Sequence, residues 1–250
     1  MLRTGYANIP HDDKASTGGE DSWFITDEVI GVADGVGGMT KLGVDSKMFS
    51  RNLCLFAEQG VMKRQVTNPL SLAKYAFSKV SVNGASTLLI VNGENANEVE
   101  VYNIGDSQLG VWRSGKGWVH ISDEQEHDFN QPFQLGRLKK YMADRPDEGT
   151  SYTIETKKND ILILASDGLW DNLFPDEVSD LVATHILARR KLQGTLVDEG
   201  RLALKLATVA YEKGLDSTRE SPFSERAESF GHKLPGGKPD DITVLVATIY

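Results

Sequence analysis

The sequence predicts a single α+β domain over residues 1–250, built from two antiparallel β-sheets with helices covering their outer faces. Short apolar, β-prone runs recur with turn signals between them. Two pairs of amphipathic helices interrupt those runs, one after the early strands and one late in the chain. No repeat, low-complexity tract or linker divides the sequence, and its length suffices for a substantial core.

Residues 2–8 read as a first strand and 9–19, rich in Pro, Asp, Ser and Gly, as a loop. Glu20-Asp21 then open an aromatic, β-prone run to Ile25, and residues 29–33 return as its hairpin partner. Three glycines in Gly35-Val36-Gly37-Gly38 imply a sharp bend or a close backbone approach. Residues 45–59 place Phe49, Leu53 and Phe56 on one helical stripe, and 69–82 place Leu72, Ala76 and Phe77 on another, with Pro69 at the first helical position. Residues 86–92, 98–104, 108–113 and 118–121 read as an antiparallel meander with turns at Asn92-Gly93 and Ser114-Gly115. Residues 123–149 read as an ordered flap, with 135–142 helical. Residues 161–165 are almost wholly apolar, the mark of a strand buried on both faces, and the run ends in Ser166-Asp167-Gly168. Of the two helices that follow, one has Val178, Leu181, Val182, His185 and Ile186 on a shared face, the other Leu202, Leu206 and Ala210. His185 is thus expected to be a partly buried helix residue and not a ligand. The polar segment 215–239, longer than most ordered connections, is a candidate for substrate contact. Asp240-Asp241 open the last strand.

A formal net charge of −9 leaves no basic surplus to neutralise phosphates, which argues against nucleic acid as a partner. The single cysteine, Cys54, excludes an internal disulfide and is expected to be a buried, inert thiol. No run approaches the ~20 apolar residues of a membrane span. The opening MLRTGYANIPHDDK has neither the apolar core of a secretory signal nor the length of an Arg/Ser-rich transit peptide, so it indicates no compartment.

Four apolar strands each put an aspartate at one end: Asp34, Asp106 and Asp167 after their strands, Asp240 ahead of its own. Gathered in one place, such carboxylates suit hard divalent cations such as Mg2+ and Mn2+, with the Gly35 carbonyl as a further oxygen ligand. The lack of cysteine and scarcity of histidine there disfavour zinc. Two ions ~3.5–4 Å apart bind a bridging water, lower its pKa and aim it at phosphorus, and they reverse the sign of an anionic site. The expected chemistry is hydrolysis of a phosphate ester.

Glu20-Asp21, Asp34-Gly35-x-Gly37-Gly38, Gly105-Asp106-Ser107, Ser166-Asp167-Gly168-x-Trp170-Asp171 and Asp240-Asp241-Ile242-Thr243-Val244 resemble, in order and spacing, the signature blocks of the metal-dependent protein serine/threonine phosphatases, the PPM or type-2C class. Phe129-Asn130-x-Pro132-Phe133-Gln134-Leu135, Ser221-Pro222-Phe223 and Gly236-Gly237-Lys238-Pro239 are similar to segments of its organellar, mitochondrial branch. The resemblance implies a four-layer α/β/β/α sandwich with a dinuclear Mn2+ or Mg2+ centre between the sheets and a place for a third ion. It implies Asp34, Asp167 and Asp240 as the catalytic carboxylates, Asp34 bridging both metals and the other two binding one of them. Gly35 would bind through its carbonyl and Asp106 would serve the third ion. Glu20 and Asp21 would act close by, largely through water on the metals. Phosphoserine and phosphothreonine proteins are the implied substrates, and the mitochondrial matrix is the implied compartment, with the cytoplasm as the alternative. A monomer is expected.

Two positions depart from the common family pattern. Ser16 stands where many members have a phosphate-gripping arginine, and Val36 where many have a histidine proposed as general acid. Lys14, Arg137 and Lys238 are candidates for the missing cation, and His127 for a substrate contact. Lys139-Lys140 reads as a solvated face. The departures keep two other readings open: a pseudophosphatase that retains the fold as a binding or regulatory module, and a hydrolase of small phosphate esters.

Overall fold

The computed structural model describes residues 1–37, 44–137, 143–191 and 197–250; Gly38, Lys139 and Lys140 lie outside the described residues. In chain order the strands are β1 (Leu2–Ile9), β2 (Ser22–Ile25), β3 (Val29–Ala33), β4 (Gly84–Ser86), β5 (Leu88–Asn92), β6 (Glu98–Ile104) and β7 (Gln108–Arg113). They continue with β8 (Gly117–Ile121), β9 (Glu126–Asp128), β10 (Gln131–Pro132), β11 (Leu135–Arg137), β12 (Thr150–Glu155), β13 (Ile161–Ala165) and β14 (Ile242–Ile249). The helices are α1 (Ser46–Arg64), α2 (Pro69–Lys79), α3 (Asp167–Trp170), α4 (Pro175–Lys191), α5 (Glu199–Gly214) and α6 (Pro222–Ser229).

One sheet has the order β1-β14-β13-β7-β8 and the other β12-β6-β5-β3-β2, with antiparallel pairing throughout. Helices α4 and α5 cover the first and α1 and α2 the second, so the expected α/β/β/α layering holds. Packing accounts for the composition of β13. Leu162 and Leu164 face the second sheet, where Ile30, Val32 and Leu89 share their cluster. Ile161, Ile163 and Ala165 face outward onto Val178 and Val182 of α4 and Leu202 and Leu206 of α5. With both faces buried, polar alternation has no place in the strand. Each leucine removed from water contributes roughly 1.5–3 kcal/mol, so the strand that aims Asp167 is fixed from both sides.

The helices start where the sequence offers caps. Asp45 accepts from the Met48 N–H (3.4 Å) ahead of α1, and Asn68 accepts from the Ser71 N–H (3.0 Å) ahead of α2, with Pro69 in its first turn. α1 runs past residue 59 to Arg64 and stops at Gln65, whose backbone is left-handed (φ 54°). Cys54 is buried in that helix, and burial pushes its thiol up to about 12, in keeping with an inert side chain. His185 is half-buried on α4, as expected.

Three expectations change. The strands from 86 to 121 do not form one meander: β5 and β6 pair in one sheet and β7 and β8 in the other, and Gly105-Asp106-Ser107 carries the chain between the sheets. Gly105 has φ +108°, a conformation that a side chain would strain, and a Cβ there would lie 2.5 Å from Thr87 Cγ2. Residues 135–137 form strand β11 against β4 and not a helix; the rest of 135–142 lies outside the described residues. Segment 215–239 contains α6, started by a reciprocal cap in which Ser221 Oγ accepts from the Ser224 N–H (3.1 Å) and Ser224 Oγ from the Ser221 N–H (2.8 Å). Among the described residues no helix is long and apolar enough to cross a membrane.

Candidate metal centre

Strand register gathers the acids. Ser22 pairs with Ala33, which puts Asp21 and Asp34 side by side at one end of the second sheet. Ala165 pairs with both Val244 and Gln108, which brings Asp167, Asp240, Asp241 and Asp106 to the same end of the first. Five chain segments thus converge although up to about 200 residues separate them in sequence, a consequence of antiparallel pairing within each sheet and of the packing of one sheet on the other.

Short polar side chains hold these ends together. Thr87 Oγ1 accepts from the Asp34 N–H (3.0 Å), and the Thr87 N–H donates to the Asp34 carbonyl (2.9 Å). Ser166 Oγ donates to Asp21 Oδ2 (2.8 Å) and accepts from the Thr243 N–H (3.0 Å), linking the two sheets. Gly35 must be glycine, because a Cβ there would lie 2.6 Å from the Glu20 carbonyl oxygen. Buried Asp241 points back into the protein: its Oδ1 accepts from the His11 N–H (2.8 Å), and its Oδ2 from the Glu20 N–H (2.8 Å) and Lys14 Nζ (3.0 Å).

Two cations meet the carboxylates. Lys14 Nζ lies 2.7 Å from Glu20 Oε2 as well as against Asp241. The Lys238 ammonium contacts Asp167, Asp171 (2.8 Å) and Asp240 (3.4 Å). Behind it, Arg226 of α6 reaches Asp171 Oδ1 (2.8 Å) and Glu124 Oε2 (2.5 Å). Arg137 is spent elsewhere, donating to the Phe77 carbonyl (2.9 Å) and lying over that ring, so it brings no charge to this end. His127 Nε2 is 3.0 Å from Asp144 Oδ1, and its ring stacks on Phe133 at 3.9 Å, which fixes it within the flap.

The cluster is short of positive charge. Burial, and then the neighbouring carboxylates, push Asp34 well above the usual carboxylate range. Burial and Asp241 push Asp21 up to about 8, and burial with Asp167 pushes Asp240 up to about 6. Asp106 is raised well above its ordinary value by burial and Asp167. Burial opposes ionisation of Asp167 too, but the Lys238 ammonium outweighs it and holds that carboxyl below its ordinary value.

The donor set fits a hard divalent cation. Oδ1 of Asp21, Oδ1 of Asp106 and Oδ1 of Asp167 are buried without a hydrogen-bond partner, which is costly unless a cation faces them. Among the described residues the acids gathered here, Asp21, Asp34, Asp106, Asp167 and Asp240, offer oxygen, the donor such a cation takes. Among the described residues no three acidic or histidine side chains are grouped closely enough to hold an ion as they stand, and Lys238 sits among them. Cavities flank the cluster on two sides: one of about 680 Å³ bordered by Lys14, Glu20, Lys47, Met48 and Arg51, and one of about 240 Å³ bordered by Asp12, Asn172, Tyr211, Lys238 and Asp240.

All the sequence-derived acids, Glu20, Asp21, Asp34, Asp106, Asp167 and Asp240, lie at this end, as does Gly35. Sequence reasoning missed the anchors. Asp171 and Asn172 stood in a quoted or adjoining position without a role, and Arg226 had no local signal at all.

A family model described as Protein phosphatase 2C matches residues 128–218. The chain is 35% identical to Probable protein phosphatase 2C 80 of Arabidopsis thaliana over 99% of its own length and 58% of that protein's. It is 35% identical to Protein phosphatase PTC7 homolog of Xenopus laevis, covering 92% of this chain and 81% of that one. The chain spans a little over half the length of two of the Arabidopsis relatives it matches, at 58% and 52%. Among solved structures, the photosystem II phosphatase PBCP superposes with a TM-score of 0.88 at 30% identity, covering 100% of this chain and 99% of that one. The catalytic domain of the phosphatase PstP in complex with two manganese ions superposes with a TM-score of 0.61 at 16% identity over 99% and 97%, a likeness of fold alone.

Proposed function

The chain belongs to the protein phosphatase 2C family, and from that membership we propose that it is a metal-dependent protein serine/threonine phosphatase. The observation that supports this most is the convergence of Asp21, Asp34, Asp106, Asp167 and Asp240 with three buried carboxylate oxygens left without a partner. Mn2+ or Mg2+ bound there supplies Lewis acidity and a water that ionises near neutral pH.

The chain's own residues then divide the work. Asp34, Asp167 and Asp240, with the Gly35 carbonyl, would hold a dinuclear centre, Asp34 serving both ions. Asp106, at the crossover between sheets, would serve a third ion. Glu20 and Asp21 would act close by, largely through water. Lys14, at the edge of the larger cavity, takes the part of the arginine that Ser16 replaces and contacts the phosphate. His127, committed to Asp144 and Phe133, shapes the flap and touches substrate through that shape. The substrates are phosphoserine and phosphothreonine proteins, and the mitochondrial compartment of the organellar branch goes with this reading.

A second reading is favoured by two observations: an ammonium already stands among Asp167, Asp171 and Asp240, and Ser16 and Val36 stand where many family members have arginine and histidine. That reading is a pseudophosphatase. Phosphate release from a phosphothreonine peptide, titrated with Mn2+ and Mg2+, separates the two. Release that depends on metal and is lost with a chelator supports the phosphatase; none from folded protein with either metal supports the pseudophosphatase.

A further inference from the structure

Lys238 stands where positive charge is wanted, and its surroundings let it leave. The side chain is 16% exposed, and its ammonium meets three carboxylates, two of them, Asp167 and Asp240, assigned above to one metal position. Its backbone is pinned twice by Asn172: the Lys238 N–H donates to Asn172 Oδ1 (2.8 Å), and its carbonyl accepts from Asn172 Nδ2 (2.8 Å). Any displacement of the ammonium is therefore a rotation of the four-carbon side chain alone. The 240 Å³ cavity beside it gives that rotation room, and Asp12 at its border gives the ammonium an acid to approach. On the other side Asp171 does not depend on Lys238 alone, because Arg226 also reaches it (2.8 Å). Asp167 and Asp240 have no second cation of this kind among the described ion pairs.

Resting on the metal reading of the site, we propose that Lys238 is a built-in counter-cation of the metal centre. It neutralises Asp167 and Asp240 while no metal is bound, and swings toward the Asp12 cavity when a divalent ion enters between them. A monovalent charge on a tether and a divalent ion in solution then compete for the same two carboxylates. The lysine keeps the empty site folded, and it sets the free-metal concentration at which the site fills. Arg226 keeps Asp171 in place through the exchange.

Metal-stripped wild type and Lys238→Met are titrated with MnCl2 by calorimetry and melted with and without Mn2+. The variant should bind Mn2+ on the order of tenfold more tightly, since no tethered charge has to be displaced, and its metal-free form should melt lower than wild type. In wild type itself, amine-reactive labelling of Lys238, read by mass spectrometry, should be slow without metal and faster at saturating Mn2+. Equal or weaker Mn2+ binding by folded Lys238→Met overturns the proposal, because the lysine is then a support for the ligands. Labelling that Mn2+ leaves unchanged or slows overturns it as well, whether or not the variant folds. Failure of wild type to bind Mn2+ at all overturns the metal reading itself and this proposal with it, whereas binding with unaltered affinity in the variant removes only the role of Lys238.

Discussion

Asp241 binds no metal in this reading, yet the geometry of the site depends on it. Its two oxygens hold the His11 and Glu20 amides and the Lys14 ammonium, so it fixes the loop that carries Glu20 and Asp21 against the start of β14. Asp241→Ala leaves two amide donors and an ammonium facing a hole, and should lower stability by about 2–4 kcal/mol in urea unfolding. Asp241→Asn keeps an acceptor and should cost less. The aspartates proposed as metal ligands should behave oppositely. Asp34→Asn or Asp167→Asn should cut phosphate release by roughly a hundredfold or more while far-UV circular dichroism stays native, because each change loosens an ion and leaves the core intact. Unchanged turnover in either variant would remove the mechanism. Residue by residue, the acids that converge were legible because each sits at the end of an apolar run. Asn172 and Arg226 were not, since a side chain that fixes another across 66 or 55 residues leaves no trace in local spacing.

Between elements, the joint of α4 and α5 offers a test by pH. His185 Nε2 of α4 accepts from the Asp198 N–H (3.2 Å), and Asp198 caps α5 through the Arg201 N–H (3.2 Å). Only a neutral ring accepts that bond. Burial lowers the His185 pKa from its ordinary 6.5, and His120 is lowered by burial as well. The unfolded chain therefore takes up these protons first, so the stability they contribute is present above about 6.5 and is lost as pH falls below it. The raised carboxyls of Asp21 and Asp240 pull stability the other way over the same range, but they are common to wild type and His185→Gln, so the excess melting temperature of wild type over the variant should shrink from about pH 7.5 to about pH 5.5; a difference that does not change with pH would dismiss the joint. The long helices and the buried strands of the two sheets could be read from periodicity because they pack on extended neighbours. The flap could not. β9, β10 and β11 are two or three residues long and exist through pairing, and α6 is an eight-residue helix whose capping serines look like loop composition.

Over the whole molecule, the two-sheet architecture was legible from apolar runs, but which strand joins which sheet was not, because the chain changes sheets at Gly105-Asp106-Ser107 without any loss of hydrophobic pattern. On the metal reading of the site, Mn2+ at roughly 100 times its Kd should add about 3 kcal/mol of stability, visible as a rise in melting temperature that Asp167→Asn largely loses. The position of β14 bears on how such a molecule is made. It lies between β1 and β13, so during vectorial synthesis both neighbours leave the ribosome with their facing edges bare until residues 242–249 arrive. Asp240 and Asp241 come with that strand. A nascent chain can thus hold most of its secondary structure before the last acids of the cluster are in place.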